Sequence, residues 1–339
     1  MAVRVATNRA VTLAARPTGF PSESDFALVE QPVPEPAPGE VLVRVLWTSV
    51  DPYQRGRMST ARSYARPVEL GEVMTAQALG EVAESKDGRF EAGDLVVGQL
   101  GWQEYAVSRA GALRKIPSVL DPPTLALHAV GGTGFTAYFG LLDVGQPKPG
   151  DTVVVSGAAG AVGQIVGQLA KLAGCRAVGI SGGPDKMRDL TEVYGYDAAI
   201  DYKNDDLRAA LKAACPGGVD VYFDNVGGEI SAAVHARLAL HARIVICGQV
   251  STYNAEGPAP TFDPRALIVF RASMKGFLVN DYAHRFDEAG MRLAHWIAKG
   301  TIRWREHVTD GLENAPAAFI GMLNGDNRGK ALVRVASRD

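Results

Sequence analysis

The feature that most constrains the fold is a glycine-containing loop, residues 156–163, which joins a buried apolar strand to an amphipathic helix. The strand is predicted at residues 151–155, and another at residues 176–180 follows the helix. A strand, a helix and a strand at this spacing form a parallel pair with a right-handed crossover. The sequence therefore predicts an α/β fold with a doubly wound parallel sheet. The helix face and its terminating glycine are Val162, Ile165, Val166, Leu169, Ala170, Ala173 and Gly174.

Strands and helices alternate from about residue 126, whereas the chain before residue 120 is mostly strand-like. Short β-branched runs there, such as residues 41–47 and 94–98, predict strands without helical periodicity. The last run, residues 329–335, returns to a strand pattern and is expected to complete the first domain. We expect a β domain from residues 1–125 and 303–339, and an α/β domain from residues 126–302. The α/β domain has further predicted strands at residues 198–200, 219–223 and 242–247, and helices at 205–214, 228–240 and 282–299.

The loop matches a dinucleotide-binding pattern at Ala158, Gly160 and Gly163. Gly160 would let the backbone approach a pyrophosphate, and Gly163 would let the helix pack against the strand. The phosphates would lie at the helix N-terminus, where free N–H groups and the helix dipole favour anions. A plain glycine turn is the alternative interpretation, but the strand before the loop and the helix after it favour the nucleotide site.

The residues after the second strand favour NADPH over NADH. An NAD site usually has Asp or Glu at this position to bind the ribose hydroxyls. Residues 181–184 are small and neutral here, and Lys186 follows. Removing the carboxylate avoids repulsion of a 2′-phosphate, and Lys186 can pair with that phosphate. Arg188 competes for the same role, and a solvated lysine at a helix start is the alternative interpretation for Lys186.

Composition argues against several classes of partner. The chain has 35 basic and 37 acidic residues, which gives no support to binding of nucleic acid or a membrane surface. No secretory signal or membrane-spanning run is recognisable. Its three dispersed cysteines are typical of buried thiols in a reducing compartment, so we expect a cytoplasmic protein with a small-molecule substrate.

A catalytic zinc site is not expected. Such a site needs three protein ligands, mainly cysteine, histidine or carboxylate, yet residues 1–127 contain neither cysteine nor histidine. Metal-free hydride transfer suits the reduction of a conjugated C=C bond, because it needs a hydride at the β-carbon and donors to the enolate oxygen. Tyrosine and ribose hydroxyls can be those donors.

Several runs along the chain, in order, resemble the zinc-free branch of the medium-chain dehydrogenase/reductase superfamily. Within it they are most similar to the group of prostaglandin reductases, plant alkenal double-bond reductases and bacterial NADPH-dependent curcumin reductases. The resemblance implies a GroES-like β-barrel domain, a Rossmann domain, and a homodimer with the active site in the cleft between the domains. The runs are VDPYQR (residues 50–55), QALGE (77–81), TAYFGLL (136–142), GAAGAVG (157–163), YFDNVGGE (222–229), STYN (251–254), TDGLENAPAAFIG (309–321) and GDNRGK (325–330).

The resemblance also implies roles for single residues. Tyr53 and Tyr253 would be the catalytic, substrate-side tyrosines. Tyr64, in residues 63–67, is a further substrate-binding candidate as a pocket lid. Mammalian prostaglandin reductases have a tyrosine near Val269, so that part of their active site is not preserved. The implied cofactor-binding residues are Gly160, Ala161, Val162, Gly163, Gly182, Lys186, Tyr202, Asn225, Cys247, Gly248, Ser251, Tyr253, Phe277, Leu278, Val279 and Asn327.

Other interpretations of these residues remain open from the sequence alone. Tyr53 could be a packing residue, and Asn225 and Asn327 occur in runs typical of turns. Cys247 could matter only through its backbone as a buried strand thiol. The expected function is NADPH-dependent reduction of α,β-unsaturated ketones or aldehydes. The alternatives are an NADPH-dependent quinone reductase and a non-catalytic NADPH-binding protein.

Overall fold

A computed structural model describes residues 7–255 and 263–338 of the chain. The chain divides into two compact units, one comprising Met1–Leu127 and Glu306–Asp339 and the other comprising His128–Arg305. Within the two described stretches, no helix has the length and apolar character needed to cross a bilayer.

The elements are numbered here along the chain. The strands are β1 (Thr7–Leu13), β2 (Phe26–Pro32), β3 (Glu40–Ser49), β4 (Gln77–Ser85), β5 (Leu95–Gln99), β6 (Tyr105–Arg109), β7 (Arg114–Lys115), β8 (Thr152–Ser156), β9 (Arg176–Ser181), β10 (Ala198–Asp201), β11 (Val219–Asp224), β12 (Leu238–Ile246), β13 (Ser273–Gly276), β14 (Glu306–Asp310) and β15 (Lys330–Arg334). The helices are α1 (Tyr53–Arg57), α2 (Gly132–Phe139), α3 (Gly163–Leu172), α4 (Pro184–Arg188), α5 (Leu207–Ala214), α6 (Gly228–His235), α7 (Arg265–Phe270), α8 (Phe286–Ala298) and α9 (Ala315–Asn324).

The first unit is built mainly from antiparallel strands. β1 pairs with β2, and a seven-stranded sheet has the order β14-β15-β3-β4-β5-β7, with β6 paired to β3. The strand predicted at residues 329–335 is β15, and it lies antiparallel to β3. The end of the chain thus supplies part of the sheet formed by its beginning, as the sequence predicted.

An aromatic cluster in the core of the first unit supports the end of β3. The rings of Phe26, Trp102 and Phe319 lie with centroids 5.8–6.1 Å apart in tilted or edge-on arrangements. The buried indole of Trp102 donates a hydrogen bond to the Ser49 carbonyl at 3.3 Å. Because Ser49 is the last residue of β3, this core fixes the point from which the chain enters α1.

The second unit contains a six-stranded parallel sheet in the order β10-β9-β8-β11-β12-β13. The valines of β8 are fully buried, which explains why this strand is a continuous apolar run and not an alternating one. From β8 the chain adds β9 and β10 on one side, then crosses to add β11, β12 and β13 on the other. The carboxyl ends of β8 and β11 therefore meet at a topological switch point, where doubly wound sheets bind ligands.

The predicted helix at residues 228–240 is wrong in its second half. α6 ends at His235, and β12 already begins at Leu238. His241 has a left-handed φ of 65°, and the pairing of β11 with β12 shifts register just there. The strand thus begins earlier and contains an irregularity, which an apolar periodicity does not reveal.

The predicted helix at residues 282–299 is shorter than expected, because its first turns are 3₁₀ in character. A 3₁₀ segment, Val279–Arg285, precedes α8, which begins at Phe286. Arg285 contacts both Glu288 and Asp143, and Tyr282 stacks on Phe139 with ring centroids 4.7 Å apart. The contacts with Asp143 and Phe139, which are far away in the chain, explain the tighter winding that local sequence did not predict.

Candidate functional site

The glycine loop has the close packing that a phosphate-binding turn requires. Gly157 has a left-handed φ of 60°, which any residue with a side chain rarely adopts. A Cβ on Gly163 would lie 2.4 Å from the Gly157 carbonyl oxygen and 2.6 Å from the Ala158 Cα, both backbone atoms. Only glycine fits at this position without moving the loop. α3 begins there, so the loop of Gly160, Ala161 and Val162 leads directly into a helix N-terminus.

A buried tyrosine that the sequence analysis did not single out fixes the start of α3. The Tyr196 hydroxyl donates a hydrogen bond to the Gly163 carbonyl at 2.7 Å. A Cβ on Gly167 would lie 2.0 Å from the Tyr196 Cζ, so the ring lies directly against the helix backbone. Burial raises the pKa of Tyr196, so the hydroxyl stays protonated and remains a donor.

The expected 2′-phosphate residues lie together beyond the ends of β9 and β10. A Cβ on Gly182 would lie 2.9 Å from Tyr202 Cε1 and 2.9 Å from Lys203 Cε, so both side chains cover this glycine. Lys186 lies on α4, which begins two residues after Gly182. Arg188 on the same helix is in an ion pair with Asp185.

Lys203 is a second cation at this position that sequence analysis missed. Its side chain is exposed, and its backbone N–H donates to the Asp201 carboxylate at 3.1 Å. Burial opposes ionisation of Asp201, but hydrogen bonds from Asn204, Gly183 and Lys203 outweigh it and hold the pKa of the carboxyl below its usual value. The carboxylate therefore fixes the turn that carries Tyr202 and Lys203.

A buried carboxylate organises the carboxyl end of β11. Asp224 is fully buried, and its Oδ1 accepts hydrogen bonds from Ser156 Oγ at 3.0 Å and the Gly227 N–H at 2.9 Å. Tyr222 donates its hydroxyl to the same oxygen at 2.9 Å, and Ser231 donates to Oδ2 at 2.5 Å. Burial, followed by the charge of Asp224, raises the pKa of Tyr222 well above its usual value. Asp224 thus holds the chain after β11 against the end of β8.

Hydrogen bonds at this corner also fix three further expected cofactor positions, Asn225, Cys247 and Gly248. Asn225 donates its side-chain amide to the Ser156 carbonyl at 2.8 Å, while its backbone N–H donates to Ser156 Oγ at 2.9 Å. The backbone N–H groups of Cys247 and Gly248 both donate to the Asp224 carbonyl, at 2.8 and 3.0 Å. The switch point between β8 and β11 is therefore a rigid, hydrogen-bonded corner.

The loop after β12 lies over this corner. Ser251 donates its hydroxyl to the Val226 carbonyl at 2.7 Å. Tyr253 follows a 3₁₀ turn, Val250–Thr252, and a Cβ on Gly248 would lie 3.6 Å from the Tyr253 hydroxyl oxygen. Burial, then the charge of Asp224, raises the pKa of the Cys247 thiol to about 12, so this thiol is neutral and unreactive at neutral pH.

Phe277, Leu278 and Val279 follow the edge strand β13. The Phe277 ring packs on α2, because a Cβ at Gly140 would lie 2.5 Å from its Cζ. Leu278 is 40% exposed, and Val279 begins the 3₁₀ segment Val279–Arg285. Asn327 lies in the first unit, in the turn between α9 and β15, and donates its amide to the Gly329 carbonyl at 2.7 Å.

The first unit has a cavity of about 420 Å³ beside α1. Tyr53 and Arg57 line it from α1, and Gln99 and Gln103 add amides from β5 and the segment after it. The Tyr53 hydroxyl is buried and, among the described residues, has no hydrogen-bond partner. Burial and the nearby charge of Asp51 raise the pKa of Tyr53, so it stays protonated as a donor.

Buried polar contacts fix the orientation of α1. Gln54 is fully buried and donates to the carbonyls of Ser49 and Thr75, while its Oε1 accepts from the Asp51 N–H at 2.9 Å. Lys330 is also buried, and its ammonium donates to Asp51 Oδ1 at 2.6 Å and to the Val50 carbonyl at 2.9 Å. These contacts explain the structural role of Val50, Asp51 and Gln54 in the run VDPYQR.

Tyr64 is 62% exposed and does not line this cavity. Its ring contacts Arg57, whose guanidinium carbon lies 4.7 Å from the Tyr64 centroid and 5.7 Å from that of Tyr53. The structure thus brings Tyr53 and Tyr64 together around one arginine. Sequence analysis named tyrosine and ribose hydroxyls as the donors to the substrate, and it did not single out Arg57.

The described residues contain no group of three or more histidine, cysteine, aspartate or glutamate side chains placed to hold a metal ion. The cysteines are free thiols on elements of the second unit. Burial raises the pKa of Cys175 and of Cys215 to about 11.

Comparison with known proteins agrees with this arrangement. Residues 9–116 match a family model described as the N-terminal domain of oxidoreductase, and residues 161–296 match one described as zinc-binding dehydrogenase. The chain is 49% identical over 335 residues to a putative NADP-dependent oxidoreductase, YfmJ, of Bacillus subtilis, with 98% of each chain covered. It is 45% identical over 338 residues to the NADPH-dependent curcumin reductase of Escherichia coli, with the same coverage.

One solved structure combines a high sequence identity with a bound cofactor. CurA from Vibrio vulnificus in complex with NADPH superimposes with a TM-score of 0.93 at 44% identity, covering 97% of this chain and 100% of that one. Three features of this chain suit such a dinucleotide: the position of Gly163, where only glycine fits, the helix N-terminus at that position, and Lys203 beside Gly182.

Proposed function

The chain belongs to the medium-chain dehydrogenase/reductase family, in the group of curcumin, prostaglandin and alkenal reductases, and from this premise we propose that it uses NADPH to reduce the C=C bond of α,β-unsaturated ketones or aldehydes. The observation that carries the proposal is the buried, unpartnered Tyr53 hydroxyl in a cavity without cysteine or histidine. A buried donor without an acceptor is costly, and a substrate oxygen would satisfy it.

The residues proposed to hold the cofactor belong to the second unit, with the exception of Asn327. Gly160, Ala161, Val162 and Gly163 would accept the pyrophosphate at the start of α3. Gly182, Lys186 and Tyr202 would surround the 2′-phosphate, with Lys203 as an added cation. The remaining cofactor contacts are proposed for Asn225, Cys247, Gly248, Ser251, Tyr253, Phe277, Leu278, Val279 and Asn327. The bound nicotinamide supplies the hydride.

The chemical task of the protein is to stabilise charge on the substrate oxygen. Hydride addition at the β-carbon breaks the C=C π bond and moves an electron pair onto the carbonyl oxygen, giving an enolate that takes a proton at the α-carbon. A tyrosine hydroxyl can donate to that oxygen without being ionised itself, and burial, which raises the pKa of Tyr53, keeps that hydroxyl protonated. We assign this role to Tyr53 and Tyr253, and a substrate-contacting role to Tyr64.

A substrate panel tests the proposed function. Purified protein is mixed with NADPH and a conjugated ketone, an alkenal, a diarylheptanoid or a quinone, and the loss of NADPH absorbance is followed. We expect turnover of the conjugated ketones and alkenals to yield saturated carbonyl products. Turnover of quinones alone would favour a quinone reductase, and no turnover with any substrate would favour a non-catalytic NADPH-binding protein.

Substitution of the tyrosines tests the chemical assignment. Each of Tyr53→Phe and Tyr253→Phe is expected to lower kcat about tenfold to a hundredfold, less than the loss of a sole oxyanion donor. NADPH affinity should stay constant for Tyr53→Phe, measured by fluorescence titration. Wild-type rates in both variants and in the double variant would show that these tyrosines only shape the pocket.

We also propose that the protein is a cytoplasmic homodimer. Three exposed apolar side chains flank the edge strand β13 in the chain. Ile268 and Val269 lie on α7, which precedes β13, and Leu278 follows β13. An apolar edge of this kind is normally covered, and pairing of two β13 strands would cover it. Light scattering at micromolar concentration should give twice the chain mass; a clean monomer would count against the dimer.

A further inference from the structure

Arg57 has an unusual position for a cationic side chain. It is partly buried on α1, its Nη1 is fully buried, and this atom has no hydrogen-bond partner among the described residues. No carboxylate within the described part of the chain forms an ion pair with it. Both Arg57 and the equally unpartnered Tyr53 hydroxyl line the cavity of about 420 Å³.

Two other arginines nearby have hydrogen-bond partners, so a guanidinium group without a partner is not a general property of this region. Arg55, on the same short helix, donates to the Gly19 carbonyl at 2.7 Å. Arg66 lines the same cavity as Arg57, but its guanidinium is bound to the Glu72 carboxylate with an N–O distance of 3.0 Å. Arg57 therefore differs from both neighbours in leaving a buried donor unused.

The tyrosine rings explain how Arg57 keeps its position without a carboxylate. Its guanidinium carbon lies 4.7 Å from the Tyr64 ring centroid and 5.7 Å from the Tyr53 ring centroid. Cation–π contacts attract the charge but use none of the N–H donors. The planar group is thus held in place while its hydrogen-bonding edge stays available to a ligand in the cavity.

The ligand that suits two buried donors, one of them charged, is an oxygen that carries or gains negative charge. Resting on the proposed function, we infer that Arg57 is a further catalytic residue, which together with Tyr53 binds the substrate carbonyl oxygen and stabilises the enolate. A charged donor forms a stronger hydrogen bond to an oxyanion than to a neutral carbonyl, so its contribution rises as the hydride is transferred. The guanidinium loses no proton in this step; the proton that completes the reaction at the α-carbon comes from solvent water.

Three variants test this inference by kinetics. Arg57→Met removes the charge at similar length, and Arg57→Lys keeps a charge. Arg89→Met is the matched control, because Arg89 of the first unit does not line the cavity and is bound to the Asp87 carboxylate with an N–O distance of 2.8 Å. With a conjugated ketone we expect kcat to fall about tenfold to a hundredfold in Arg57→Met, to recover in part in Arg57→Lys, and to stay within about twofold of wild type in Arg89→Met. NADPH affinity should be unchanged in all three. Wild-type turnover in Arg57→Met would overturn the inference.

A spectroscopic measurement distinguishes the effect of the Arg57 charge from a change in the shape of the cavity. Para-nitrophenol is a neutral phenol that becomes a yellow phenolate, so it mimics a substrate oxygen before and after it gains charge. Bound to the protein with oxidised cofactor, it should ionise more readily than in solution. Arg57→Met should reduce this ionisation constant at least about tenfold, that is by one pKa unit, and the control Arg89→Met should not. Equal ionisation in wild type and Arg57→Met would overturn the inference.

The outcome for Arg57 is distinguishable from that of the proposed function. If the wild-type protein reduces no conjugated carbonyl, the proposed function is wrong. If it does so and Arg57→Met is equally active, the proposed function stands and only the role of Arg57 is wrong.

Discussion

At the scale of single residues, we propose that two lysines carried by different elements recognise the 2′-phosphate. Lys186 lies on α4 after Gly182, and Lys203 follows β10 with its Cε 2.9 Å from where a Gly182 Cβ would be. Sequence spacing identifies Lys186, because the phosphate-binding residue follows the second strand of the fold. Lys203 comes seventeen positions later in the chain and is brought to the site only by the pairing of β10 with β9.

We predict that Lys186→Ala and Lys203→Ala each weaken NADPH binding by about 1.5–3 kcal/mol, the usual size of a hydrogen bond to a charged group. Binding of NADH should hardly change, because NADH lacks the 2′-phosphate. Arg188→Ala is the matched control, since Asp185 already binds that side chain, and it should have little effect. The measurement is a fluorescence titration with each cofactor. Equal losses for NADPH and NADH would assign the lysines a structural role.

Residues that act through burial were not accessible to sequence analysis. Tyr196, Asp224 and Lys330 carry no motif of their own that indicates a role, although the last two lie within runs shared with the family. Their importance comes from burial and from partners far away in the sequence, such as Asp51 for Lys330. Arg57 was missed for the same reason: its charge lacks a partner only because of how α1 is oriented.

At the scale of secondary-structure elements, the strand–loop–helix unit of β8 and α3 is the part of the fold that sequence predicted best. Its glycines lie where nearby backbone atoms leave no room for a side chain. Such positions can be recognised in the sequence because they are occupied by glycine. The ends of α6 and α8 were predicted less well, because their limits depend on a register shift in β12 and on contacts of Arg285. The periodicity of apolar residues indicates which face of a helix is buried, but it does not indicate where tertiary contacts end the helix.

We predict that Gly163→Ala destabilises the second unit by about 1–3 kcal/mol, the usual cost of overpacking, and weakens NADPH binding. The new methyl group would overlap backbone atoms of Gly157 and Ala158, which cannot move without displacing the phosphate loop. Gly217→Ala is the control, because no atom lies within 4 Å of the position of its Cβ. Urea unfolding and cofactor titration provide the measurements. A Gly163→Ala variant with wild-type stability and affinity would contradict the packing described for the loop.

At the scale of the whole molecule, the absence of metal chemistry is a prediction, even though one matching family model is described as zinc-binding dehydrogenase. The first 127 residues offer neither cysteine nor histidine, and the cysteines lie on elements of the second unit. We therefore expect full activity after dialysis against a chelator. Elemental analysis should find no stoichiometric zinc. One zinc per chain in active protein, with activity lost on its removal, would show that the chain does provide ligands for a catalytic zinc.

The central claim is that hydride from NADPH is added to the β-carbon of a conjugated carbonyl compound. The most direct measurement uses NADPH with deuterium at the transferred position of the nicotinamide, together with a conjugated ketone, and locates the deuterium in the product by nuclear magnetic resonance. We predict one deuterium on the β-carbon, an intact carbonyl group and a solvent-derived hydrogen on the α-carbon. Deuterium on the carbonyl carbon of an alcohol product, or none in any product, would contradict the account.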